Sequence, residues 1–238
     1  MTTIYQTIVE AKAKKRKLLA VLLDPDKIKW DTFSVLIERI NESPATHVFV
    51  GGSIVVNNQI DEIVQTLKLK CKLPIVLFPG STTQISQFAD GILFITLISG
   101  RNSDYLIDQH VKAAPILKKT KLEVISTGYI LVASGQPTAV EKVSKTIPIK
   151  RDAIALAVAT AQAGEMLGNK LIYLEAGSGA NQMVPIEMIA SVSKNTTLPL
   201  LVGGGIVSKS EIEIAYESGA DFVIIGTAFE RDFNFFNS

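Results

Sequence analysis

Eight short apolar runs, separated by longer amphipathic stretches, constrain what this chain of 238 residues folds into. They occupy residues 18–23, 47–50, 75–78, 92–96, 123–132, 171–174, 200–202 and 222–225. They are rich in Val, Ile, Leu and Phe and alternate little with polar residues, the pattern of strands buried on both faces in a parallel sheet. The stretches at 31–41, 57–70, 104–118, 151–167, 185–194 and 208–218 read as crossover helices, and Ser208 with Glu211 three residues on gives the last a capping-box start. Eight strands joined by helical crossovers predict an α/β protein, a (β/α)8 barrel of the TIM type, as a single domain over 1–238. One slot breaks the pattern. Only about thirteen residues separate Phe78 from Ile92, and they include Pro79, Gly80 and two threonines, so the third crossover helix is expected to be very short or missing.

Composition removes several classes of function. Lys and Arg number 24 against 23 Asp and Glu, a net charge of +1, which argues against nucleic-acid binding through a broad basic surface. A hydrophobic fraction of 47% excludes a disordered chain. The single cysteine, Cys71, rules out an intrachain disulfide and a cysteine-based zinc cluster and fits a reducing, cytoplasmic setting. The longest weakly charged stretch, 153–164, is shorter than the roughly 18 residues that cross a bilayer, so no transmembrane segment is expected. Lys14, Lys15, Arg16 and Lys17 form a basic cluster that allows peripheral contact with an anionic membrane surface, although a solvated turn ending a first helix is the commoner reason for such a cluster. His47, at the start of the second strand, and His110, within a helix, read as structural; Asp104, Asp108 and His110 do not share one helical face, and Cys71 reads as packing.

In such a barrel the chemistry sits at the C-terminal strand ends and the loops that follow them. Glycines follow the sixth, seventh and eighth strands, as Gly177-Ser178-Gly179, Gly203-Gly204-Gly205 and Gly226-Thr227. They let backbone N–H groups approach a phosphate closely, and tight βα turns are the other reading. Neither of the first two completes G-x-G-x-x-G, so a dinucleotide fingerprint is not supported. Asp24, in Asp24-Pro25-Asp26-Lys27, suits either a Mg²⁺ ligand shared with a substrate phosphate or a helix cap, a role that fits Asp26 better. Ser53 offers a hydroxyl to the same ion or is a turn residue. Glu175 ends an apolar strand, where burying a carboxylate is costly. It reads as a general base or a ligand for a substrate hydroxyl in preference to a structural ion pair.

Together these residues make the chain resemble the geranylgeranylglyceryl phosphate synthase family, in its archaeal-type and related bacterial branch. The resemblance runs from Leu22-Leu23-Asp24-Pro25-Asp26-Lys27 through Gly51-Gly52-Ser53 to Gly203-Gly204-Gly205 and Gly226-Thr227. Its most specific stretch is Tyr173-Leu174-Glu175-Ala176-Gly177-Ser178-Gly179-Ala180, supported by Thr127-Gly128-Tyr129-Ile130 and Ala157-Val158-Ala159-Thr160-Ala161. The resemblance implies a modified TIM barrel without its third helix. It also implies a transferase that joins a prenyl diphosphate, geranylgeranyl by branch similarity, to the C3 hydroxyl of sn-glycerol 1-phosphate. By the same resemblance Asp24 and Ser53 hold Mg²⁺; Tyr173 to Gly179, Gly204, Gly205, Gly226 and Thr227 hold the glycerol phosphate; and Glu175 is the base. A homo-oligomer, dimer or hexamer, is implied as well, with Phe233, Phe235 and Phe236 read as either an interface or a cap on the barrel. The missing helix is expected to open an apolar groove for the prenyl tail beside Ile92, Leu93, Phe94 and Ile95. Two other readings of the barrel stay open: a sugar-phosphate isomerase or epimerase using Asp24 with Glu175, and a non-catalytic phosphate- or lipid-binding barrel.

Overall fold

The computed structural model describes residues 2–56 and 59–236. The eight apolar runs form parallel strands β1 (Leu18–Leu23), β2 (His47–Val50), β3 (Ile75–Leu77), β4 (Gly91–Thr96), β5 (Glu123–Leu131), β6 (Leu171–Glu175), β7 (Leu200–Gly203) and β8 (Phe222–Ile225). They pair in sequence order and close into a barrel, with Leu18 of β1 in register with Phe222 of β8. The crossovers are α2 (Phe33–Glu42), α3 (Ile60–Lys70), α4 (Gln109–Leu117), α5 (Ala139–Ser144) with α6 (Ile154–Met166), α7 (Ile186–Asn195) and α8 (Lys209–Glu217), preceded by α1 (Ile4–Ala13) and followed by α9 (Thr227–Arg231). Asn57 and Asn58, where the sequence starts the second crossover, lie outside the described residues. The capping box expected at Ser208 and Glu211 is present. The expected helix over 104–118 divides, opening as a π-helical turn at Asp104–Asp108 before α4 begins.

The anomalous slot is real. Between β3 and β4 the chain makes only a 3-10 turn, Thr82–Gln84. Pro79 and Gly80 leave too few good helix formers there for a crossover helix.

Two hydrophobic layers follow from the pleat of the strands. Val21, Leu23, Val48, Val50, Leu174 and Val202 pack outward against the helices, while Leu18, Ala20, Phe49, Val76, Tyr129, Tyr173 and Phe222 fill the barrel. Inside, an aromatic column climbs from base to mouth. Phe222 meets Phe49 at 5.4 Å between ring centroids, Phe49 meets Phe78 at 6.3 Å, and Phe78 meets Tyr173 at 5.5 Å. On the outside, small residues let α6 dock closely. Ala157, Ala161 and Gly164 are buried on one face, and side chains at Gly164 or at Gly128 of β5 would both strike Ile98, Asn169 and Ile172.

Helix α1 covers the base of the barrel, burying Ile8 and Ala11 against the interior cluster. The Glu123 carboxylate accepts from the N–H groups of Ile4 (2.6 Å) and Tyr5 (2.9 Å), meeting the orphan donors at the positive end of the helix. Lys12 pairs with Asp221 at 2.8 Å. The basic cluster forms the turn into β1: Lys15 takes a left-handed conformation, and Lys17 donates to the carbonyls of Tyr216 and Ala220 behind α8. Phe233 and Phe236 pack with tilted rings against Phe229, so they cover the barrel's outer layer. Cys71 is partly buried against that same layer.

His47 lies at the base, 2% exposed and tilted against Phe222. Burial, followed by the nearby Arg16 charge, lowers its pKa to about 4. The folded protein therefore holds the imidazole neutral, whereas the unfolded chain takes up a proton near 6.5. Stability is expected to fall as pH drops from about 6.5 to about 4, by up to about 3 kcal/mol for this group. Urea melts across that range should show the slope, and His47→Asn should flatten it even if it lowers stability overall.

Candidate active site

The mouth of the barrel holds a polar cavity of about 480 Å³ at the C-terminal strand ends. Of the residues singled out from the sequence, Asp24, Ser53, Tyr173, Glu175, Gly177, Ser178, Gly179, Gly204, Gly205, Gly226 and Thr227 all line it. Leu174 and Ala176 do not. Alternation along β6 turns both side chains into the outer layer, so the stretch contributes them as backbone only.

Glu175 is the electrostatic centre. Its side chain follows Leu171 and Tyr173 on the inward face of β6, capped below by the aromatic column and 5% exposed. One oxygen accepts from the Gly177 N–H at 2.7 Å. Burial raises its pKa above the ordinary carboxylate value, opposed by the neighbouring Tyr173 hydroxyl and the Gly177 N–H. The Tyr173 and Tyr129 phenols have their pKa values pushed well up, first by burial and then by the Glu175 charge. Both phenols therefore stay protonated over the floor of the cavity. The Tyr173 hydroxyl is buried beside the Glu175 carboxylate.

Glycine is required around this carboxylate for two distinct reasons. Gly204 has a φ of +77°, and a Cβ there would lie 2.6 Å from the Gly177 nitrogen and overlap Glu175. Gly179 has a φ of +72° but open space around it.

On the opposite wall, Asp24 caps the short turn Pro25–Lys27, its Oδ1 accepting from the Asp26 N–H at 3.1 Å. The capping role expected of Asp26 thus falls to Asp24. The reason is steric: Asp24 precedes Pro25, which starts the turn without needing a donor, whereas Asp26 reaches across to the Val56 N–H at 2.9 Å. The other Asp24 oxygen faces Lys27 Nζ at 3.4 Å, and Lys27 also pairs with Glu230 of α9 at 2.9 Å. Burial pulls the Lys27 pKa down, but Glu230 and Asp24 outweigh it, so the ammonium is held charged.

Sequence reasoning did not place Lys27, Gln84, Glu230 or Arg231 in the site. Gln84 is 1% exposed and grips the Gly52 backbone twice, accepting from its N–H at 3.1 Å and donating to its carbonyl at 2.8 Å. It thereby sets the loop that carries Ser53. Lys27 was visible in the Asp-Pro-Asp-Lys stretch. Glu230 gave no signal, since its partner Asp24 lies 206 residues away in sequence.

The slot without a helix opens a second, apolar cavity of about 120 Å³. Ile92, Leu93, Phe94 and Ile95 line it together with Tyr105, His110, Val140 and Val143. His110 sits in this wall, its ring 4.4 Å from that of Phe94 and its Nε2 3.2 Å from Thr96 Oγ1. Both cavities are lined by Gly52, Ser53, Phe78, Tyr129 and Val140, so they adjoin.

A closed barrel with a buried carboxylate over a polar cavity, and an apolar cavity beside it, defines a TIM-barrel enzyme whose site suits a substrate pair of opposite polarity. The chain belongs to the PcrB family, whose model matches residues 11–237. It is 61% identical over 238 residues to a geranylgeranylglyceryl phosphate synthase of Flavobacterium johnsoniae, covering 100% of this chain and 98% of that one. It is 41% identical over 217 residues to the synthase of the same name from Korarchaeum cryptofilum, covering 91% and 89%. Among solved structures, the (S)-3-O-geranylgeranylglyceryl phosphate synthase of Thermoplasma acidophilum in complex with sn-glycerol-1-phosphate matches with a TM-score of 0.94 at 30% identity, covering 100% and 95%. The family resemblance carried by the strand-end motifs, with its bacterial and archaeal members, is borne out.

Gly179→Ala meets strain alone, of about 1 kcal/mol, and should lower Tm by about 2–4 °C. Gly204→Ala adds overlap with Glu175 and the backbone beneath it, so its loss should be at least about twice as large. Differential scanning calorimetry of the two variants compares them directly.

Proposed function

We propose that this chain transfers a geranylgeranyl group from its diphosphate to the C3 hydroxyl of sn-glycerol 1-phosphate, forming an ether and releasing diphosphate. The observation that carries this reading is the adjacency of the two cavities across Ser53, Phe78 and Tyr129. A polar acceptor and an apolar chain meet there, beside a buried carboxylate. The relative crystallised with sn-glycerol-1-phosphate supports the choice of acceptor. A sugar-phosphate isomerase or epimerase has no use for the apolar cavity.

The glycine-rich ends at Gly177 to Gly179, Gly204, Gly205, Gly226 and Thr227 receive the acceptor phosphate, because their backbone approaches it without a side chain in the way. Anchoring the phosphate fixes the C3 hydroxyl against Glu175 and so converts an encounter into a positioned reaction. As the bond from the C3 oxygen to C1 of the prenyl chain forms, the C1–O bond to diphosphate breaks and its electron pair leaves with the diphosphate. Glu175 takes the hydroxyl proton. The tail lies in the cavity beside Ile92 to Ile95, which excludes water from the reacting carbon.

Asp24 and Ser53 fit a Mg²⁺ ion. Both line the same cavity and bring one carboxylate and one hydroxyl to it. Such a sparse set suits an ion that completes its shell with water and phosphate oxygens. When bound, it supplies charge neutralisation to the departing diphosphate. Among the described residues no helix is long and apolar enough to cross a membrane, so the lipid-like product forms without a span in this part of the chain.

The test is a labelled-acceptor assay that pairs sn-glycerol 1-phosphate or its 3-phosphate enantiomer with prenyl diphosphates of increasing length. Ether product from the 1-phosphate and the twenty-carbon donor is expected; its absence with every donor sinks the proposal.

Glu175→Gln should lower kcat by about 10²–10⁴-fold. The acid limb of the wild-type rate profile should lie above the ordinary carboxylate range, because the raised group must ionise to act. The same shift has a stability consequence. Its contribution is fully present below the unfolded value and is lost as pH rises through the folded one. Glu175→Gln removes that loss and should melt no lower than the wild type at pH 8.

A further inference from the structure

Lys27 and Arg231 are the two cationic side chains among the described residues lining the polar cavity. Their placement differs in kind. Arg231 is exposed on the outer turn of α9, whereas Lys27 stands between two carboxylates. Lys27 Nζ lies 2.9 Å from Glu230 Oε2 and 3.4 Å from Asp24 Oδ2. Glu230 uses its other oxygen to accept from the Asp24 N–H at 3.3 Å, so α9 holds the end of β1 and the lysine together. The first Asp24 oxygen is committed to the Asp26 N–H. The second is the one a cation would use, and Lys27 already faces it.

Two positive charges do not share that oxygen without repulsion. Lys27 is only half-buried, sits on a flexible four-carbon stem and has Glu230 as a second anchor, so it can leave Asp24 without losing its counter-charge. We propose that Lys27 is a transferable counter-charge: it neutralises Asp24 in the resting protein, yields that oxygen to the divalent cation, and turns to bind the diphosphate of the donor. The inference rests on the prenyl-transfer reading and gives it a diphosphate-binding residue that the strand-end motifs do not assign. In the balanced reaction the C1–O electron pair stays on the diphosphate as its charge grows. An ammonium that meets it there favours the departing group over the intact donor.

The two halves of the proposal give opposite signs in one variant. In Lys27→Met, Mn²⁺ binding to the protein alone, read by electron paramagnetic resonance of the unbound ion, should tighten by about three- to fivefold because a competing cation is gone. Binding of inorganic diphosphate in the presence of Mn²⁺, read by calorimetry, should weaken by about tenfold because a charged donor is gone. Lys27→Arg keeps the charge and should stay near the wild type in both. Thermal melts establish that the variants fold, and Lys27→Gln repeats the test if the methionine variant does not. Weakening of both affinities, unchanged Mn²⁺ affinity, or no Mn²⁺ binding to any of the proteins with diphosphate present or absent overturns the proposal. Both readouts are equilibrium binding, so they judge Lys27 separately from the ether-forming assay, whose failure would count against the prenyl-transfer reading instead.

Discussion

The filled interior of the barrel is the constraint on which the rest of the molecule depends. Eight strands enclose a space just wide enough for side chains to fill. Here aromatic rings fill it, with Phe222, Phe49, Phe78 and Tyr173 touching in succession from base to mouth. No ligand can pass through such a column, so the chemistry is confined to the rim. The same column sets the depth of Glu175: Tyr173, two residues before it on the same face of β6, forms the floor on which the carboxylate stands. The raised pKa of Glu175 therefore follows from how the core is packed, and the core and the site are one continuous stack.

Much of the architecture was legible because parallel barrel strands must be apolar on both faces. That requirement wrote eight separate runs into the sequence, and the gap after Phe78, with its Pro and Gly, marked where the ring of helices would be interrupted. The glycine-rich strand ends were legible for a related reason. Gly204 has no room for a side chain, and a steric demand of that kind leaves a definite residue type behind. What escaped was the set of long-range polar contacts. Gln84 reads as an ordinary turn residue until its amide is seen clasping Gly52, and nothing in the sequence near Glu230 points to Asp24. Capping of the first strand end was assigned to the wrong aspartate because two lie on either side of one proline, and only the backbone decides between them. Leu174 and Ala176 belong to the motif by contiguity, and pleating, which the motif does not spell out, turns their side chains into the outer layer.

The near-zero net charge also takes on physical meaning. A site for two anionic substrates is expected to be rich in lysine and arginine, yet among the described residues the cavity wall offers only Lys27 and Arg231, and it carries acidic groups of its own at Asp24, Glu175 and Glu230. Positive character in such a site comes from N–H groups at glycine turns as well as from those two side chains.

The clamp at the base of the barrel carries an implication for how the protein comes into being. Helix α1 is finished early in synthesis, but the carboxylate that ties down its first turn belongs to Glu123, 119 residues from Ile4, and the partner of Lys12 lies 209 residues on. Likewise β1 keeps an unpaired edge until β8 has emerged. The amino-terminal segment therefore gains its tertiary partners only after the strands that form the walls of the barrel have been made.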